Sequence, residues 1–119
     1  MSRKKKTDRK ENYLDLVPEH NSEIRWHRDH RERVVLEIEN KGFYHAIAQK
    51  VFGKPRFTKV HLDVSGTFIW PLIDGKRTVD EIAGLVHEKF GEQAEPLYPR
   101  IVKYFQIMES NGFIKFRQL

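Results

Sequence analysis

The side chains that could do chemistry in this chain are few, and they do not gather. His27 and His30 form an HxxH pair, a spacing that metal sites use, yet no cysteine and no clear third ligand stands near them. Ser65 and Ser110 lack the context of a nucleophile, such as GxSxG. No GxGxxG and no P-loop is present. The chain has no cysteine, which excludes disulfides, thiolate metal sites and a cysteine nucleophile. His20, His45, His61 and His87 are scattered, and the lone carboxylates read as helix caps and helix surface. The expectation is a protein that is not an enzyme and holds no metal and no cofactor. The run Phe57-Thr58-Lys59-Val60-His61-Leu62 alternates, with Val60 and Leu62 on one face, and reads as a strand; it has no proline after Pro55, so its amides remain free to donate.

Such a strand needs elements to hold it. Ile24 to Arg28 alternates apolar and polar side chains, as a half-buried strand does. After the polar turn Asp29-His30-Arg31-Glu32, the residues Val34, Leu36 and Ile38 share one face of a second strand, and the pair reads as a hairpin. Phe43, Ile47 and Val51 recur at spacing four, which predicts a short helix over 43–52. The strand from Phe57 follows. Asp63 then caps a helix through Val64, Phe68, Ile69 and Leu72, with Pro71 tightening its end. Thr78 and Glu81 form a capping box for a helix that puts Val79, Ile82, Ala83, Val86 and Phe90 on one face, closed at Gly91. Pro96 opens a third helix whose stripe is Leu97, Ile101, Phe105 and Met108, stopped by Asn111-Gly112. Phe113 to Phe116 reads as a short closing strand, and residues 13–22 as an irregular apolar arm. The expected fold class is α+β and winged helix-turn-helix-like: a three-stranded antiparallel sheet followed by a three-helix unit.

Length and charge set the outer bounds. The chain has 119 residues, enough for one modest core but not for a core plus a deep enclosed active site. Residues 1–12 are polar and basic and are expected to be a disordered tail, with one domain over 13–119. Residues 1–10 carry six basic side chains against one acid, so the whole net charge of +5 sits there and the rest of the chain balances. A nucleic-acid-binding body shows a basic face, so this distribution argues against nucleic acid as the partner. No apolar run approaches the roughly 18–20 residues that span a bilayer. A basic start without an apolar h-region reads as no signal peptide. The expected location is the cytoplasm, which a cysteine-free chain suits.

From Leu62 to Ile114 the chain resembles the family of coenzyme PQQ synthesis protein D. The resemblance is carried by Leu62-Asp63, Gly66, Ile69-Trp70, Leu72-Ile73-Asp74-Gly75, Thr78-Val79, Glu81-Ile82, Phe90-Gly91, the apolar third helix and Gly112-Phe113-Ile114. The segment before Leu62 matches less well, and the helix over 43–52 departs from the family. The resemblance implies a recognition domain for ribosomally made, post-translationally modified peptides. Such a domain grips the leader segment of a precursor peptide by strand addition and presents it to a modifying enzyme, often a radical-SAM maturase.

On that resemblance the peptide would pair with Phe57, Thr58, Lys59, Val60 and His61. The third helix would form a wall from one of two flanks, Tyr98 with Val102 or Tyr104 with Ile107. Lys59, Arg100 or Lys103 would meet acidic leader residues. These residues also have a plainer reading. The apolar arc of the third helix, roughly 220° of the wheel, suits a core, and Lys59 and His61 suit a solvated strand face. Two further function classes stay open: a winged helix binding nucleic acid, and an adaptor that binds a protein through another face. An uncovered edge strand would also offer a route to a homodimer.

Overall fold

The computed structural model describes residues 13–39 and 57–117. The basic segment 1–12 and the helix expected over 43–52 lie outside the described residues. In chain order the elements are strands β1 (Pro18–His20), β2 (Arg25–Arg28), β3 (Val34–Glu39) and β4 (Phe57–His61), helices α1 (Val64–Ile69), α2 (Val79–Phe90) and α3 (Leu97–Ser110), and strand β5 (Ile114–Phe116). This is the expected α+β order, with a three-stranded antiparallel sheet followed by three helices. By internal packing the chain divides into two compact units, residues 22–67 and the chain on either side of them.

In the unit of residues 22–67 the sheet runs β2-β3-β4, with both pairs antiparallel. The hairpin between β2 and β3 turns on Asp29. Its Oδ1 accepts the amides of Arg31 at 2.8 Å and Arg33 at 3.0 Å, and its own amide donates to the Arg33 carbonyl at 2.9 Å. The Arg33 amide is the main reason the Asp29 carboxyl lies below its ordinary pKa.

Burial departs from the simple alternation in two places. β3 is central, and Val34, Val35 and Leu36 are all buried, so both faces are covered at that end. β2 was expected to be half-buried, yet all four of its residues are exposed. It is an edge strand, and alternation in sequence does not say whether anything covers an edge.

Asp63 caps α1 as expected, with Oδ1 accepting the Gly66 amide at 2.8 Å. A Cβ at Gly66 would lie 3.1 Å from the Leu62 Cβ and 3.3 Å from that same Oδ1, so a side chain there would press on Leu62 and on the cap. Thr67 Oγ1 accepts the Val34 amide at 3.0 Å and fastens the helix start to β3. Beyond Ile69 the chain tightens into a 3-10 turn over Trp70–Leu72, where Pro71 removes a donor.

In the other unit α2 opens on the predicted capping box. The Glu81 amide donates to Thr78 Oγ1 at 3.1 Å, and the Thr78 amide to Glu81 Oε1 at 2.8 Å. Val79, Ile82, Ala83 and Val86 are buried along one face of α2, and Leu97, Ile101, Phe105 and Met108 along one face of α3. The end of α3 is a Schellman motif. The Phe113 amide reaches the Met108 carbonyl at 3.0 Å and the Gly112 amide the Glu109 carbonyl at 2.9 Å, with Gly112 at φ 77°.

Residues 13–22 correct the expected irregular arm. Residues 18–20 form β1, which pairs antiparallel with β5 through Pro18↔Phe116, Glu19↔Lys115 and His20↔Ile114. The Tyr13 and Phe116 rings meet edge to face at 5.5 Å, and the Val79 amide donates to the Leu16 carbonyl at 2.9 Å. A three-residue strand is too short for its own alternation to show, and it exists because β5 supplies the ladder.

Candidate functional site

β4 is the edge that the family resemblance singled out. β3 pairs with one side of it, and among the described residues no strand pairs with the other. The register fixes which backbone groups point outward. The Leu62 amide donates to the Val34 carbonyl at 2.9 Å. In an antiparallel ladder the bonded positions alternate, so Thr58 and Val60 direct their N–H and C=O groups to Ile38 and Leu36. Phe57, Lys59 and His61 therefore direct theirs away from β3. The second ladder agrees: Asp29 bonds Arg33, so Arg33, Val35 and Glu37 face β2 and leave Val34, Leu36 and Ile38 for β4. Sequence reasoning treated the amides of 57–61 as one free set, and the register splits them into two.

Register also sorts the side chains, because residues directly opposite share a face. On one face lie the rows Trp26–Leu36–Val60 and Ile38–Thr58. On the other lie Arg25–Glu37–Lys59, His27–Val35–His61 and Glu39–Phe57. Phe57, Thr58, Lys59 and His61 are exposed and Val60 is half-buried. Phe57 retains 39% of its surface, a large apolar side chain in the open at the strand's start. His27 Nδ1 lies 2.9 Å from Glu37 Oε2, so the histidine of the HxxH pair faces a carboxylate across the sheet. Among the described residues no group of three candidate ligands could hold a metal ion. Arg25 and Glu37 were not singled out from the sequence, and only the hairpin register reveals them as neighbours of Lys59.

α3 carries the other expected contact residues. Tyr98 is 44% exposed, and its hydroxyl donates to Asp80 Oδ1 of α2 at 3.0 Å. That bond raises the Tyr98 pKa and ties its flank to α2. Val102 is half-buried on the same flank. On the opposite flank Ile107 is 49% exposed, and Tyr104 is half-buried with its ring edge-on to Phe105 at 5.4 Å. Arg100 Nη1 donates to the Gln93 carbonyl at 3.2 Å, and Lys103 is exposed. Tyr98 thus has a structural duty within its own unit, whereas Ile107 presents apolar surface to solvent.

The outline is thus an edge strand with alternate outward amides, followed in the chain by three helices. A family model for coenzyme PQQ synthesis protein D (PqqD) matches residues 32–114. The chain belongs to the PqqD family. No curated protein and no solved structure matches it significantly. The PqqD match reaches back to residue 32, so β3 and β4 lie inside it, where sequence reading had begun the resemblance at Leu62. β1 and β2 lie outside the matched span. PqqD membership fits a non-catalytic, peptide-binding partner of a biosynthetic enzyme. Among the described residues no helix is long and apolar enough to cross a membrane.

Proposed function

We propose that this chain binds the leader segment of a ribosomally made precursor peptide by strand addition at β4 and presents it to a modifying enzyme, a radical-SAM maturase being the leading class. One observation carries the reading. The outer edge of β4 directs the backbone of Phe57, Lys59 and His61 away from β3, and no strand among the described residues takes it up. Main-chain bonds at this edge supply affinity, and the alternating side chains beside it supply selectivity. α3 is proposed as a second contact surface, through Ile107, Tyr104, Arg100 and Lys103 on one flank or Tyr98 and Val102 on the other.

Calorimetric titration of the full chain with the leader of a precursor peptide encoded beside its gene tests the proposal. One-to-one binding is expected. No heat from any such leader, with the chain folded by circular dichroism, contradicts it. The nucleic-acid alternative gains little support, because α3 offers a groove only Arg100, already bonded to Gln93, and Lys103.

A further inference from the structure

We infer that the peptide seated on β4 is acidic beside Lys59 and apolar beside Val60, an alternation imposed by rows of side chains that cross the whole sheet. The inference rests on the docking reading and adds the chemistry of the occupant.

The charged face comes first. Arg25, Glu37 and Lys59 stand in one cross-strand row, positive, negative, positive. The Glu37 carboxylate is engaged on the β2 side, where His27 Nδ1 lies 2.9 Å from it. Lys59 is exposed and enters no ion pair among the described residues. A fourth strand places its next side chain on this face roughly 4.5–5.5 Å from Lys59, Cβ to Cβ. A carboxylate there continues the alternation, whereas a cation meets Lys59 with Glu37 already engaged. His61, the next residue on this face, is exposed and adds no negative charge to the edge.

The opposite face has another composition. Trp26, Leu36 and Val60 form its row, with Leu36 buried and Val60 half-buried. An added strand lays the chain neighbour of its acidic residue beside Val60. An apolar side chain there removes Val60 from water, and a charged one is desolvated without a partner. The Lys59 amide points outward, so the acidic residue sits at a position where the strands exchange main-chain bonds. The backbone thereby holds the charge in register.

Selection of a displayed library of random nonapeptides on the full chain, run in parallel on Lys59→Glu and Lys59→Gln, tests this. Lys59 is exposed, so both variants are expected to fold. Peptides enriched on the unchanged chain should carry Asp or Glu at one position with an apolar residue as one of its chain neighbours. Lys59→Glu should exchange that acid for Lys or Arg, and Lys59→Gln should relax the choice. A peptide with the acid replaced by Lys should bind the unchanged chain roughly three- to tenfold more weakly. Enrichment of peptides with no acidic position, or with the same residue there on all three chains, overturns this inference and leaves strand docking standing. Enrichment of no peptide on any of the folded chains overturns the docking reading and this inference with it.

Discussion

His20 shows how one side chain can make stability depend on pH. Its ring stacks on Trp70 at 3.8 Å and 6°, and its Nε2 donates to the Trp70 carbonyl at 2.8 Å. Burial lowers the His20 pKa, and the bond to the Trp70 carbonyl opposes that only in part. The folded state then binds fewer protons than the unfolded state as pH falls below the ordinary histidine value of about 6.5. The stabilising contribution is complete above that value and drains away as pH falls through the lower folded value. Thermal melts from pH 7.5 to 5 should therefore show a fall in Tm that His20→Phe, which keeps the ring but cannot titrate, makes shallower. Equal slopes in the two proteins would contradict the assignment. Residue types alone did not disclose this site: His20 was one of several scattered histidines until β1 paired with β5 and placed it over Trp70.

At the scale of elements, β4 makes a sharper claim than its sequence did. Proline at Val60 removes a donor that faces Leu36 and breaks the ladder to the central strand, so it should lower Tm and cost about 1–3 kcal/mol for the partner left unsatisfied. Proline at His61 removes a donor that faces outward and leaves that ladder intact. It should unfold the chain little and weaken leader binding about tenfold, one main-chain bond being worth about 1 kcal/mol and the ring adding bulk at the edge. Melts of both variants, with titration of His61→Pro, check the contrast. Equal loss of stability in the two would show that the register is wrong. The elements most legible in sequence were those with a local chemical signature. Thr78 with Glu81, Asp63, Pro71 and Asn111-Gly112 placed the helix ends because caps and breakers act within a few residues of themselves. β1 and the exposure of β2 depend on partners far along the chain or on none, and alternation carries no record of that.

For the whole molecule, the α+β order and the PqqD family were legible because core spacing and turn residues recur along α1, α2 and α3. The candidate site was legible as a segment, Phe57 to His61, but not as a pattern. The division into outward amides at Phe57, Lys59 and His61 and inward amides at Thr58 and Val60 needs the register against β3, which the sequence of the two strands cannot supply. The same register joins Arg25, Glu37 and Lys59 into one row across three strands. Residue-resolved hydrogen exchange of the full chain, with and without a saturating leader peptide, tests the central claim most directly. The amides of Thr58 and Val60 should be protected throughout, while those of Lys59 and His61 exchange quickly alone and slow by about tenfold or more when the leader is added. Protection of Lys59 and His61 in the peptide-free chain, or their continued rapid exchange with leader bound, would contradict strand addition at β4.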